Sequence, residues 1–387
     1  MRLQMGTQKL NAASKSLECS LAYSSKLPDL ESWYDVATLN AMSDTYPHGM
    51  TLRGALEETA RSKGEYTSGL TTEEMFRAAF RPSFQAADYS TVDLAGVLGN
   101  LSGKHMINAF ESVEHGWKRL VKVRPASDFK LLSTYALTGN AQLLPVGNAG
   151  ELAHASMGQT TYTAQLETLG RVLSISRQDI LNDDMGALLD GSAQLGYGAG
   201  LSINNVVWST FLAGVSTLFS SGNGNLISGG SSALSLTSLQ AALTSFREQT
   251  TPDGKPLGVA ARFLLVPPAL ELAAAQLSHG LMTVGDTPDL DGGPSQSSSG
   301  LTNKFDIISS SYLSNSEYAG SSSSAWWLLA DPRLLPVLLI AYLNGNENPT
   351  IQTSDVDMNG IGIRFRVFFD FGCGLGDSRS GVMSAGA

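Results

Sequence analysis

The chain has 387 residues, of which 42% are hydrophobic and only 16% charged, against a typical charged share of about a quarter. Its 25 Lys and Arg against 35 Asp and Glu leave a formal net charge of −10, which excludes a broad basic face for neutralising phosphates. Two cysteines, Cys19 and Cys373, are too few for a disulfide framework and match no metal spacing, so each reads as an idle or buried thiol.

Such a length allows two or three compact units with their own cores. So few charges imply a surface covered in part by something other than water, such as sister subunits. The opening "MRLQMGTQKLNAASKSLECSL" lacks the continuous apolar core of a signal peptide. The most apolar stretch, Leu334–Leu343, is half the length of a membrane span and contains Pro336. A soluble product, made in the cytoplasm and without membrane contact, is expected.

Residues 1 to 88 read as a loosely organised N-terminal region. Within it, Thr71 three before Glu74 predicts a capping box and a short helix through Phe80, ended at Arg81-Pro82. A longer helix fits Ser90–Glu114, where Leu94, Val97, Leu98, Leu101 and Phe110 form a stripe.

The run Asp128–Leu137 reads as extended, and Thr138–Gly158 follows as a turn-rich tip. From Thr160 to Gln178 residues alternate, Tyr162, Ala164 and Leu166 against Thr161, Thr163, Gln165 and Glu167. This makes an arm longer than an average strand. A lone two-stranded ribbon is marginal in water, so the arm is expected to lie on another molecule.

Asn182 or Asp183 can cap a helix running to Gly214, with the acidic pair at its positive end. Gly186, Gly191, Gly196, Gly198 and Gly200 each weaken it by roughly 1 kcal/mol relative to alanine. Such a cost predicts close approach of another backbone. A Gly/Ser-rich connection, Ser220–Ser232, marks a boundary. Beyond it the sequence predicts a capped helix over Thr237–Thr250 and a buried strand running into a helix over Ala261–Leu277. It also predicts a mobile loop over Asp286–Gly300 and a buried strand over Ser324–Pro332.

Asp355–Gly360, D-x-D-x-N-G, opens like an EF-hand loop. The twelfth position is Arg366, a cation where calcium needs a bidentate acid. Ile361, Ile363, Phe365, Val367, Phe369 and Phe371 alternate with mostly polar residues, and Asn359-Gly360 suits a type I′ turn. The run therefore reads as a β-hairpin.

No catalytic, cofactor-binding or metal residue is assigned. His48, His105, His115, His154 and His279 are scattered, with no His-Glu-x-x-His pair. Asp377-Ser378 in "GDSRSG" lacks the glycine that follows a nucleophilic serine, so a C-terminal turn is the plainer reading. Gly196-x-Gly198-x-Gly200 lies inside a helical pattern rather than after a strand. Asp183-Asp184 reads as capping, and Trp326-Trp327 as core or interface.

Several segments, in order, resemble a known family. Ser174–Leu188 ("SISRQDILNDDMGAL"), Ala261–Ser278 ("ARFLLVPPALELAAAQLS"), Trp326–Pro332, Asp128–Leu137 and Thr250–Val259 are similar to motifs of tailed-bacteriophage major capsid proteins related to the Mu-like head subunit. In many prophages these are fused to a ClpP-like prohead protease. The resemblance covers roughly residues 90–387 and implies an α+β fold of the HK97 type. Its parts would be an N-terminal region and arm (1–127), an extended β-hairpin loop (128–178) and a spine helix with the first part of a peripheral domain (179–226). An axial domain (227–336) and a return to the peripheral domain (337–387) would follow.

The implied function is structural: hexamers and pentamers closing an icosahedral shell, the virion capsid, around double-stranded DNA. Portal, scaffold and decoration proteins are further candidate partners. DNA would be touched only non-specifically, since an acidic wall repels it. Family members often carry two histidines after the spine helix, where this chain has "FSSGNGN" (Phe219–Asn225). The tip Thr138–Gly158 has no lysine, so covalent welding of the shell through it is not expected. The rival expectation is a maturation protease or other hydrolase from the same gene cluster.

Overall fold

The computed structural model describes residues 12–65, 67–71, 74–75, 94–137, 159–176, 185–251, 254–279, 283–288, 294–297, 304–355 and 362–386. The chain divides into two compact units, one of Met1–Glu114, Thr168–Ser202 and Glu347–Asp370, the other of His115–Glu167, Ile203–Asn346 and Phe371–Ala387.

In the first unit, the region expected to be loosely organised is helical and packed. Helices α1 (Ala12–Ser24), α2 (Leu30–Trp33), α3 (Val36–Thr45) and α4 (Leu52–Ser62) precede α5 (Leu94–Ser112). Leu17 and Leu21 of α1, Leu52 and Leu56 of α4, and Leu94, Leu98 and Leu101 of α5 share one core. Hydropathy missed α1 because its buried face is partly serine. The hydroxyls of Ser16 and Ser20 bond carbonyls three residues back, so small polar groups are buried already satisfied. The expected capping box is present: Thr71 N–H donates to Glu74 Oε2 (2.8 Å), and Glu74 N–H donates to Thr71 Oγ1 (3.4 Å). The helix expected beyond Met75 lies outside the described residues.

Helix α6 spans Met185–Ala213, close to the expected limits, and its residues to Ser202 belong to this unit. Its glycines answer the expectation of close approach. A Cβ on Gly196 would stand 2.0 Å from the Met106 carbonyl oxygen, and one on Gly200 would stand 2.7 Å from Val113 Cγ2. Gly198 faces open space.

The same unit holds strands β4 (Glu167–Ser176) and β12 (Thr350–Asp355), with the first half of β13 (Gly362–Leu375). β12 runs antiparallel to β13, with Ile351 opposite Val367, and β4 also pairs with β13. The hairpin expected at Asp355–Gly372 is thus present as two strands. Its Asn359-Gly360 turn lies outside the described residues. Val367 and Phe369 are buried while Arg364 and Arg366 are exposed, as the alternation requires.

In the second unit, β1 (Val121–Ala126) lies parallel to β11 (Leu338–Leu343), which runs antiparallel to the end of β13. Pro125 has no N–H to donate, which fits a position on an edge strand. A second sheet has the order β5 (Leu226–Ile227), β14 (Gly381–Ser384), β10 (Trp326–Ala330), β6 (Ala261–Val266), β9 (Asp306–Ser309). All five residues of β10 are buried. Each such large apolar side chain contributes about 1.5–3 kcal/mol. Trp326 and Trp327 are core; the Trp326 indole donates to the Ser232 carbonyl at 3.0 Å.

Helix α7 (Val215–Leu218) follows α6 directly. Helix α8 (Leu236–Glu248) starts one residue before the expected Thr237, because Ser235 and Ser238 make the capping box. Helix α9 (Pro268–His279) follows β6, with Pro268 at its first turn. The expected loop at Asp286–Gly300 instead contributes to a two-stranded hairpin, β7 (Thr283–Pro288) with β8 (Pro294–Ser297).

Candidate functional site

The long arm expected between Asp128 and Gln178 is divided by the structure. β2 (Leu132–Leu137) pairs antiparallel with β3 (Gln159–Ala164) in a two-stranded sheet of their own. After Gln165 and Leu166 the chain enters β4, which pairs with β13 instead. The tip, residues 138–158, lies outside the described residues.

Alternation at the base of this ribbon is as the sequence predicts: Tyr162, Ala164 and Leu166 are buried, Thr163, Gln165 and Glu167 exposed. Here the sequence reading needs correction, because the cover comes from the same chain. Ala164 and Leu166 pack with Ala126 and Ala341. A partner is therefore not required for this inner end. Phe129 and Leu131, just before β2, stay 45% and 57% exposed.

Two glycines make the seating of the ribbon possible, and a third clears space for the chain at Pro336. A Cβ on Gly372 would stand 1.9 Å from the Gln165 carbonyl oxygen, and one on Gly374 would stand 2.0 Å from that of Thr163. On Gly376 it would meet the Pro336 carbonyl oxygen at 2.0 Å. Backbone of residues 163–165 thus lies directly on β13, in a gap no side chain could share.

Tyr162 is held at its tip. Its hydroxyl donates to Asp377 Oδ2. Asp377, only 3% exposed, also accepts from the Arg379 backbone N–H (2.8 Å), from Arg379 Nε (2.9 Å) and from Arg379 Nη2 (2.6 Å). Burial alone would raise the Asp377 pKa. Hydrogen bonds from Arg379 and Tyr162 outweigh it and hold the carboxyl below its ordinary value. Burial, and then the Asp377 carboxylate, push the Tyr162 phenol upward. These groups border an open cleft of about 970 Å³, whose lining includes Thr210, Asn223 and Thr251.

The arrangement holds backbone in place. Asp377 and Ser378, weighed above as a nucleophile loop, form a capped turn (Ser378–Ser380) in which the acid is saturated by Arg379 and Tyr162. His105 is bonded to Ser25 (3.0 Å) and His115 Nδ1 to Asn204 Oδ1 (2.8 Å), while His48 is exposed. The ring of His279 and all of His154, Asp183 and Asp184 lie outside the described residues. Among the described residues no group of three or more His, Cys, Asp or Glu could hold a metal ion, and no helix is long and apolar enough to cross a membrane.

Sequence reasoning missed Tyr162 and Arg379. The available signal was Gly372-x-Gly374 at the end of a strand, with Gly376 just beyond it, which clears one face for another backbone.

A family model described as phage capsid protein matches residues 159–384, more than half of the chain, and the chain belongs to that family. It is a structural capsid protein.

Among solved structures it is similar to the capsid of the cyanophage P-SCSP1u, at 12% identity and a TM-score of 0.47, over 83% of this chain and 97% of that one. It is also similar to a virus-like particle from Pyrococcus furiosus (12% identity, TM-score 0.40, 73% of this chain, 97% of that one). A third is the capsid of Ralstonia phage GP4 (13% identity, TM-score 0.43, 69% and 87%). No curated protein matches the sequence.

Proposed function

We propose that the chain is the major subunit of an HK97-type phage head, which assembles as hexamers and pentamers into an icosahedral shell. The observation that carries this reading is the capsid family match over residues 159–384, across the region that holds the hairpin base and α6. The exposed Phe129 and Leu131 beside the ribbon support contact with neighbouring copies. Large apolar side chains left in water beside a marginal two-stranded ribbon gain free energy when another surface covers them, about 25 cal/mol per Å².

In this reading residues 128–178 form the extended loop, 179–226 the spine helix and the start of the peripheral domain, 227–336 the axial domain and 337–387 the return. The Mu-like subtype rests on the ordered motifs from Asp128 to Pro332. The chain works through contacts between copies rather than by catalysis: Asp377, the best-placed acid near a serine, is committed to holding structure.

Size-exclusion chromatography and electron micrographs of the purified protein test the proposal. Hexamers, pentamers or closed shells are expected. A stable monomer or dimer that forms no larger particle under any assembly condition tried, with or without co-expressed phage head proteins, would remove it.

A further inference from the structure

The ribbon β2–β3 pairs with no third strand among the described residues, so its direction is set where its base meets the rest of its own unit. Two residues out from Ala164 along β3, the Tyr162 side chain is buried. Apolar packing of Ala164 and Leu166 resists lifting but barely resists swivelling, because contact between small aliphatic groups is non-directional. The bond from Tyr162 to Asp377 is directional and charge-assisted.

Its acceptor is itself fixed. Arg379 grips both carboxylate oxygens through Nε and Nη2, and its backbone N–H caps Oδ1. The glycine gap at Gly372 and Gly374 permits only one depth of seating. A phenol at one end and a crossing backbone at the other define two points of a line.

We infer that Tyr162, Asp377 and Arg379 form a latch that sets the angle at which the hairpin leaves its unit, and that Tyr162 and Asp377 are positioning residues for assembly. The assembly half of this inference rests on the proposed head-subunit function; the latch itself does not. A hairpin that reaches a neighbouring copy amplifies a small swivel at its base into a large displacement at its tip. Shells of one size therefore need the base held.

The test uses the full chain and two variants. Tyr162→Phe removes one hydroxyl and keeps the ring, and Asp377→Asn weakens the acceptor. Hydrogen exchange of unassembled protein is followed at residues 159–166 and, as an internal reference, at 326–330. In Tyr162→Phe, exchange at 159–166 is expected to rise about tenfold, the scale of a lost charge-assisted bond, with 326–330 unchanged. Asp377→Asn, which also weakens the bonds to Arg379, should raise exchange at 159–166 by more than at 326–330.

Unchanged exchange at 159–166 in Tyr162→Phe overturns the latch. An equal rise at both segments also overturns it, since that marks ordinary loss of stability. Micrographs form the second arm: the variants should give particles of mixed diameter or open sheets where the parent gives uniform shells. If the parent forms no shells, the head-subunit reading fails while the exchange result still stands. Uniform shells from a variant whose hairpin base exchanges faster would sever the latch from assembly and overturn the positioning role.

Discussion

Glu18 of α1 and Lys104 of α5 form an ion pair with almost no access to water, 3% and 7% exposed. Tyr34 donates to the same Glu18 oxygen at 3.0 Å, Asn100 donates to the other at 3.4 Å, and the Lys104 ammonium sits 3.6 Å from the centre of the Tyr34 ring. Burying two charges is costly, and partners with good geometry offset the cost. The cluster ties the N-terminal helices to α5 in one register.

Removing one partner strands the other. Glu18→Leu is expected to destabilise the unit by about 3–5 kcal/mol. The double variant Glu18→Leu/Lys104→Met should recover most of that loss, since it leaves no buried charge. Urea denaturation of the three proteins checks this; a double variant no more stable than the single one would contradict it.

Cys19 lies beside that pair and is fully buried. Burial, opposed by Lys104 and reinforced by Glu18, pushes its thiol from an ordinary 9.0 up to about 11. The unfolded thiol ionises first, so the folded chain binds more protons between those values. Stability supplied by Cys19 is thus complete below pH 9 and is lost as pH climbs toward 11. Lys104, lowered mainly by its own burial, works in the opposite sense below its ordinary value. Cys19→Ala should make the decline between pH 9 and pH 10 shallower, measured as midpoint urea concentration against pH. An unaltered slope would show that another group carries the titration.

Two glycines two residues apart on α6 should respond oppositely to alanine. Gly196→Ala drives a methyl against the Met106 carbonyl, and a loss of about 3 kcal/mol is expected because backbone cannot step aside. Gly198→Ala meets nothing within 4 Å and should gain up to about 1 kcal/mol from helix propensity. Thermal unfolding of unassembled protein separates them. Equal effects would mean that α6 does not pack on α5 through Gly196.

Asp377 gives the second unit an acid limit. Its folded pKa lies below the ordinary 3.8, so its contribution is present above that value and is lost as pH falls through the folded one. Asp377→Asn should lower stability at neutral pH and flatten its dependence below pH 4. Acid titration followed by tryptophan fluorescence reads both. A variant with the parent's acid transition would place the limit elsewhere.

Much of the architecture was legible because its signals are local. The stripe Leu94 to Phe110 marked α5, the alternation around Tyr162 marked the ribbon base, and the all-apolar run at Trp326–Ala330 marked a buried strand. The N-terminal helices were not legible. Beside their leucines the buried face of α1 carries serines that bond their own helix and half of an ion pair 86 residues apart, neither of which has a hydropathic period. The site was half visible: Asp377 was noticed for the wrong chemistry, since a carboxylate beside a serine looks the same whether it awaits a histidine or is filled by an arginine.

By itself, the order of residues marked α5, α6, the ribbon base and the buried strands, because helix periodicity, strand alternation and turn chemistry act over a few neighbours. Tertiary structure alone decided that β4 leaves the ribbon for β13, that the ribbon base is covered by its own chain, and that Asp377 grips Tyr162. Those outcomes depend on groups up to 215 residues apart meeting at bonding distance, and no local free energy along the sequence records such a meeting.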